Sequence, residues 1–155
     1  MPYWKTVALI AVLAVAGWVL TMYVLSAMGK RPDNLGVNEG RLAACPSSPN
    51  CVCSQDEDAG HAIEPIAFTT DADEAWAKLK KVLAERPRTR VVSESDNYLH
   101  AECTSLVFRF VDDLEFQLDR ESKRINVRSA SRVGRSDLGV NRRRVEEIRK
   151  AFAES

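Results

Sequence analysis

Tyr98-Leu-His-Ala-Glu-Cys-Thr-Ser-Leu-Val-Phe-Arg-Phe-Val-Asp-Asp-Leu-Glu-Phe-Gln-Leu-Asp-Arg-Glu-Ser-Lys-Arg-Ile-Asn-Val127 decides the fold, because its apolar side chains recur at alternate positions. Leu99, Ala101 and Cys103 alternate with Tyr98, His100 and Glu102. Leu106, Phe108 and Phe110 share a face, and Leu114, Phe116 and Leu118 form a further run. A period of two marks strands with one buried side. Asp112-Asp113 interrupts the pattern, so a bend or bulge is expected there. Asp119 to Lys123 reads as a turn, and Ile125 and Val127 open the last strand. Upstream, Val92 to Glu94 runs into the turn Ser95-Asp96-Asn97. The result is an antiparallel meander.

Helical spacing flanks it. Asp71 and Glu74 form a capping-box-like start, and Ala72, Trp76, Leu79 and Leu83 follow on one face up to Arg86-Pro87. Gly139-Val140-Asn141 introduces a second helix carrying Val145, Ile148 and Phe152. Ile63 to Phe68 reads as a short strand, held to an edge by Pro65. The expected fold is α+β: an antiparallel meander with helices 71–85 and 142–153 on one sheet face, preceded by one transmembrane helix.

Thr6 to Met28 holds 23 residues without a charge, about 35 Å of helix against roughly 30 Å of bilayer hydrocarbon. Lys5 closes one end and Lys30-Arg31 the other, with Trp4, Trp18 and Tyr23 as interfacial aromatics. Ala14-Val15-Ala16 resembles a signal-peptidase site, yet the apolar run continues for twelve residues beyond it, which favours an uncleaved anchor. Leu42-Ala-Ala-Cys45 mimics a lipoprotein box but lies too far from the apolar segment. The chain thus divides into an anchor (1–30), a cysteine loop and acidic linker (31–62) and an α+β domain (63–155).

The cysteines are Cys45, Cys51, Cys53 and Cys103. Cys45-Pro-Ser-Ser-Pro-Asn-Cys-Val-Cys53 reads as a turn-rich loop rather than a helix or strand. A Cys45–Cys51 bridge would close a loop already bent by Pro46 and Pro49, for about 2 kcal/mol. The alternatives are free thiols or a zinc site from Cys45, Cys51, Cys53 and His61, whose spacing departs from the usual paired knuckles, so no metal is expected. Cys103 sits in an alternating strand and is expected to be buried. Lysine and arginine placement at the two ends of the apolar segment nearly ties. A disulfide would break that tie and put the domain on the non-cytosolic side.

Two stretches are rich in site-building residues. Asp112-Asp-Leu-Glu115 carries three carboxylates, and Arg128-Ser-Ala-Ser-Arg-Val-Gly-Arg-Ser-Asp-Leu-Gly-Val-Asn141 combines arginines, hydroxyls and glycines at the edge of a helix. Arg128, Ser129, Ser131, Arg132, Asp137, Asn141 and Arg142 suit a phosphate-like anion, braced by Asp112, Asp113 and Glu115. The competing reading is structural: the same carboxylates pair with Arg128, Arg132 and Arg142, with Glu115 near Arg128 on one sheet face. His100 is expected on the sheet surface rather than as a base.

Asn34-Leu-Gly-Val37, Cys45 to Val52 with Gln55, Tyr98 to Ser105, Asp112 to Phe116 and Arg128 to Arg142 resemble domain-of-unknown-function family 1499 over about residues 34–152. That resemblance implies a bacterial or plastid protein with an N-terminal membrane or export segment; no activity is established for the domain. Cys45 and Cys51 match the family's cysteine pair, which supports the bridge between them. Cys53 and Cys103 stand where the family usually has serine and an aromatic residue.

The expected function is non-catalytic binding of a small anionic ligand, lipid headgroup or protein partner, with no cofactor. The alternatives are a hydrolase or thiol-dependent enzyme using Asp112/Asp113 or Cys45/Cys51, and an interaction-only structural protein of the envelope. Equal numbers of basic and acidic residues, 22 each, exclude a globally basic nucleic-acid binder. The balance is local cancellation: residues 54–75 carry −7 and residues 123–155 carry +6.

Overall fold

The computed structural model describes residues 2–155. Helix α1 (Tyr3–Ala27) is long and apolar enough to cross a membrane, and none of its side chains is buried in the protein. A signal sequence satisfies the same length and composition. Beyond it come β1 (Val37–Asn38), β2 (Arg41–Leu42), β3 (Cys51–Cys53), β4 (Ile66–Ala67), α2 (Ala72–Ala84), β5 (Thr89–Glu94), β6 (Tyr98–Thr104), β7 (Val111–Asp119), β8 (Arg124–Ser131) and α3 (Val140–Glu154). The α+β expectation holds.

Strands β5 to β8 form the meander, in the order β3-β8-β7-β6-β5, with every pairing antiparallel. Strand β4 shares the β8 edge with β3, pairing Ile66 with Ile125. Helices α2 and α3 contact each other and cover one sheet face. Asp71 caps α2 by accepting from the Asp73 and Glu74 amides at 2.8 and 3.4 Å. The apolar stripe Ala75, Trp76, Leu79, Val82 and Leu83 then faces Leu99, Leu114, Phe116, Ile125 and Val127, with Val145, Ile148 and Phe152 completing the core. Each such large side chain contributes about 1.5–3 kcal/mol by leaving water.

Three expectations are corrected. Leu106, Phe108 and Phe110 do not continue a strand: residues 105–110 form a loop. The Ser105 amide donates to the Phe110 carbonyl at 2.8 Å, and Arg109 adopts φ 61°, which no strand accommodates. Asp112-Asp113 does not break the sheet but lies inside β7; basic partners on the two faces satisfy the carboxylates. The irregularity falls in β5 instead, between Val91 and Ser93. Cys51–Cys53 is a strand rather than loop, because β8 offers it a free edge.

The sheet's second face is also covered. Residues 31–45, including the β1–β2 hairpin, lie over it as a strap. Both faces of the central strands are therefore buried, one against helices and the other against polar backbone.

Candidate functional site

Register sorts the polar residues by side. Leu114 pairs with Ser129 and Glu115 with Arg128, so successive residues alternate between the helix face and the strap face. Asp112, Ser129 and Ser131 fall on the helix face; Asp113, Glu115 and Arg128 fall on the strap face. The residues nominated from sequence are divided by the sheet rather than gathered in one site.

On the strap face, Glu115 is fully buried. Its Oε1 accepts from the Tyr98 hydroxyl and the Gly36 amide, each at 2.8 Å, and its Oε2 from Arg128 Nη1 at 2.9 Å. Gly36 has φ 114°, a conformation open to glycine, and this delivers its amide to the carboxylate. Burial and the neighbouring Glu115 charge push the Tyr98 phenol well above its ordinary value. Beside this pair, Asp113 accepts from Arg132 Nε and Nη2 at 2.9 and 2.7 Å and contacts His100 Nε2 at 2.8 Å. Burial opposes ionisation of Asp113, but Arg132 and His100 outweigh it and hold its carboxyl below the usual range. His100 is accordingly buried, which corrects its expected place on the sheet surface. Asp113 supplies the polar partner that makes this burial tolerable.

Glu102 closes the network. It receives Arg31 and Arg132 at 2.6 Å and Arg90 at 2.8 Å. Burial raises its pKa, yet the three guanidinium groups bring it down to about 2. Arg31 lies four residues beyond the end of α1 at Ala27, so this carboxylate ties the segment behind the apolar helix to the sheet. Further along the same face, Gln117 Nε2 donates to the Gly40 carbonyl at 2.7 Å, and Gln55 Nε2 donates to Gln117 Oε1 at 3.1 Å.

The helix-face network centres on Asn141, which is fully buried in the first turn of α3. Its Nδ2 donates to the Asn50 carbonyl, Ser131 Oγ and Asp137 Oδ2 at 2.9–3.0 Å, while its Oδ1 accepts from Ser129 Oγ at 2.6 Å. Arg144 bridges Ser129, Asn141 and Asp112. Arg142 does not pair with the carboxylates as the structural reading expected; it donates to the Gly60 and Ala62 carbonyls at 3.0 and 2.8 Å. Two residues of α3, about 200° of helical rotation, separate their roles: Arg142 points at the Gly60–Ala62 segment and Arg144 at the sheet.

Cys45 and Cys51 form a disulfide with a Cα–Cα separation of 5.6 Å. Their sulfurs are bonded to one another and so are lost as ligands to the zinc alternative. Cys53 and Cys103 are free thiols, buried, and burial pushes both above the ordinary thiol range.

Sequence reasoning missed Glu102, Tyr98, Arg31 and Arg144 as network members. For Glu102 and Tyr98 the signal was present, since their alternation with Leu99 and Ala101 puts them on the face of His100.

A cleft of about 220 Å³ opens where β5 starts, β6 ends and α3 begins. Arg86, Arg88, Arg143, Arg144, Thr104 and Ser105 line it, together with the carboxylates Asp112 and Glu147. Arg144 is engaged by Asp112 and Arg86 by Glu147. Among the described residues no carboxylate pairs with Arg88 or Arg143.

An α+β domain with a disulfide-closed strap behind a long apolar helix defines the class of this protein. The chain belongs to the DUF1499 family, described as a protein of unknown function, whose pattern matches residues 41–152. That match begins at Arg41 and leaves the Asn34–Val37 motif outside it. No curated protein and no solved structure matches the chain.

Proposed function

We propose that the protein is a single-pass membrane-anchored domain that binds a phosphate-bearing anion, foremost a lipid headgroup, in the arginine cleft between β5, β6 and α3. The observation that carries this reading is the pair Arg88 and Arg143, cations without a carboxylate partner in a cleft already braced by Arg86 and Arg144. Guanidinium forks with neighbouring hydroxyls from Thr104 and Ser105 match the donor geometry that phosphate oxygens take. Ser105 also opens the loop that packs on α1, which brings the cleft beside the apolar helix.

Arg128 and Arg132, by contrast, give their donors to Glu115, Asp113 and Glu102, and act as internal braces. A binding role is favoured over hydrolysis because Asp112 and Asp113 are both engaged by guanidinium groups, which leaves neither as a free base. The Cys45–Cys51 bridge supports a domain on the oxidising, non-cytosolic side of the membrane.

The test is the melting temperature of the full chain in nanodiscs of phosphatidylcholine, with and without phosphatidylglycerol, at fixed salt. Anionic lipid should raise it for the native chain and for Lys150→Ala, an exposed cation elsewhere on α3, but not for the double variant Arg88→Ala/Arg143→Ala. An equal rise in the double variant would mean that the cleft plays no part. Inorganic phosphate added to the phosphatidylcholine discs separates the sources: stabilisation by phosphate alone identifies a free anion rather than a headgroup.

A further inference from the structure

The β6–β7 loop exposes apolar side chains at its tip: Leu106 and Val107 are 71% and 61% exposed. Exposed apolar residues side by side on a loop mark a candidate contact surface. The same loop already touches the apolar helix. Phe108 stacks edge-to-face on Trp18 and Tyr23, with ring centroids 5.4 and 5.7 Å apart, and the Tyr23 hydroxyl donates to the Val107 carbonyl at 3.2 Å. Trp18 lies nine residues before the end of α1 at Ala27, about 14 Å along its axis. A loop that reaches that level passes the headgroups if α1 spans the bilayer.

We infer that Leu106, Val107 and Phe108 form a wedge inserted into the bilayer beside α1, a second membrane contact made by the folded domain itself. The occupant is lipid acyl chain, argued from continuity: the apolar tip extends the surface that α1 presents at Trp18 and Tyr23. Loop backbone survives in hydrocarbon when its polar groups find partners within the protein. Part of that demand is met here: the Tyr23 hydroxyl donates to the Val107 carbonyl, Ser105 Oγ accepts from the Phe110 amide at 2.9 Å, and the Ser105 amide donates to the Phe110 carbonyl. Arg109, the one charge inside the loop, is exposed, and its long stem lets the guanidinium extend toward the headgroups.

The inference rests on α1 being an anchor, not on an anion occupying the cleft. It is tested with nitroxide labels on the full chain in phosphatidylcholine vesicles, at Val107→Cys, at Leu20→Cys within α1, and at Ser95→Cys in the turn at the far end of β6. The free native cysteines are buried, so the label goes to the introduced thiol. Insertion predicts that the Val107 label collides with oxygen and is shielded from a water-soluble nickel chelate, as at Leu20 and unlike Ser95. A Val107 label as open to nickel as Ser95, with Leu20 shielded, overturns the wedge while leaving the anchor standing. Nickel access at Leu20 as well overturns both. The cleft is untouched by either result, because none of the labelled positions lines it.

Discussion

Glu115 and Arg128 are the pair on which the strap face turns, with side chains 0% and 4% exposed. Their mutual attraction is offset by the cost of taking both from water, so the pair is a poor source of net stability. Removing one partner is different, because it strands a buried charge. Glu115→Gln should therefore lower the unfolding free energy by about 3–5 kcal/mol in a denaturant titration of the full chain. The double variant Glu115→Leu/Arg128→Met should lose clearly less than Arg128→Met alone. Glu102 has a pH consequence. Its folded pKa is depressed to about 2, below an ordinary glutamate near 4.3. Its contribution is complete above the unfolded value and disappears as pH falls through the folded one. The melting temperature should drop between about pH 4.5 and 2, and Glu102→Gln should flatten that limb. Pairing of Glu115 with Arg128 was legible from alternation in two neighbouring strands. Arg144 replacing Arg142 beside Asp112 was not, because helix phase against a sheet depends on packing that no local pattern states.

At the scale of elements, alternation marked β6, β7 and β8 and heptad-like spacing marked α2 and α3, each within a few residues of its observed span. The strap was invisible because β1 and β2 are two residues each and their stability comes from bonds to the sheet. Gly36 is the test of that dependence. An alanine at φ 114° is strained by about 1–3 kcal/mol, and it moves the amide away from Glu115. Gly36→Ala should destabilise the chain and increase hydrogen exchange in residues 34–42 first. A uniform rise across the sheet would mean that the strap has no separate stability. The loop 105–110 misled for the opposite reason: its apolar residues keep strand spacing, but Phe108 packs on α1 and Leu106 is exposed, neither joining the core.

Taken whole, the molecule is a sheet with a different partner on each face, tied to an apolar helix through Arg31 and Glu102. Its formal neutrality conceals an acidic stretch at 54–75 and a basic C-terminal portion. These meet only in part, as where Arg142 reaches the Gly60 and Ala62 carbonyls, and Arg88 and Arg143 remain turned to the cleft. The disulfide belongs to this scale as well, since it closes the strap where β3 joins the sheet. Cys45→Ser/Cys51→Ser should lower stability by about 2 kcal/mol, read in the same denaturant titration, while leaving the helix-face core intact by near-ultraviolet dichroism. The central claim is that the cleft holds a phosphate-bearing headgroup at the membrane. Native mass spectrometry of the full chain, released from micelles containing phosphatidylcholine and phosphatidylglycerol in equal amounts, measures it directly. A phosphatidylglycerol adduct should be retained on the native chain and absent from Arg88→Ala/Arg143→Ala; a bare native chain, or equal adducts on both proteins, would rule out the cleft as the headgroup site.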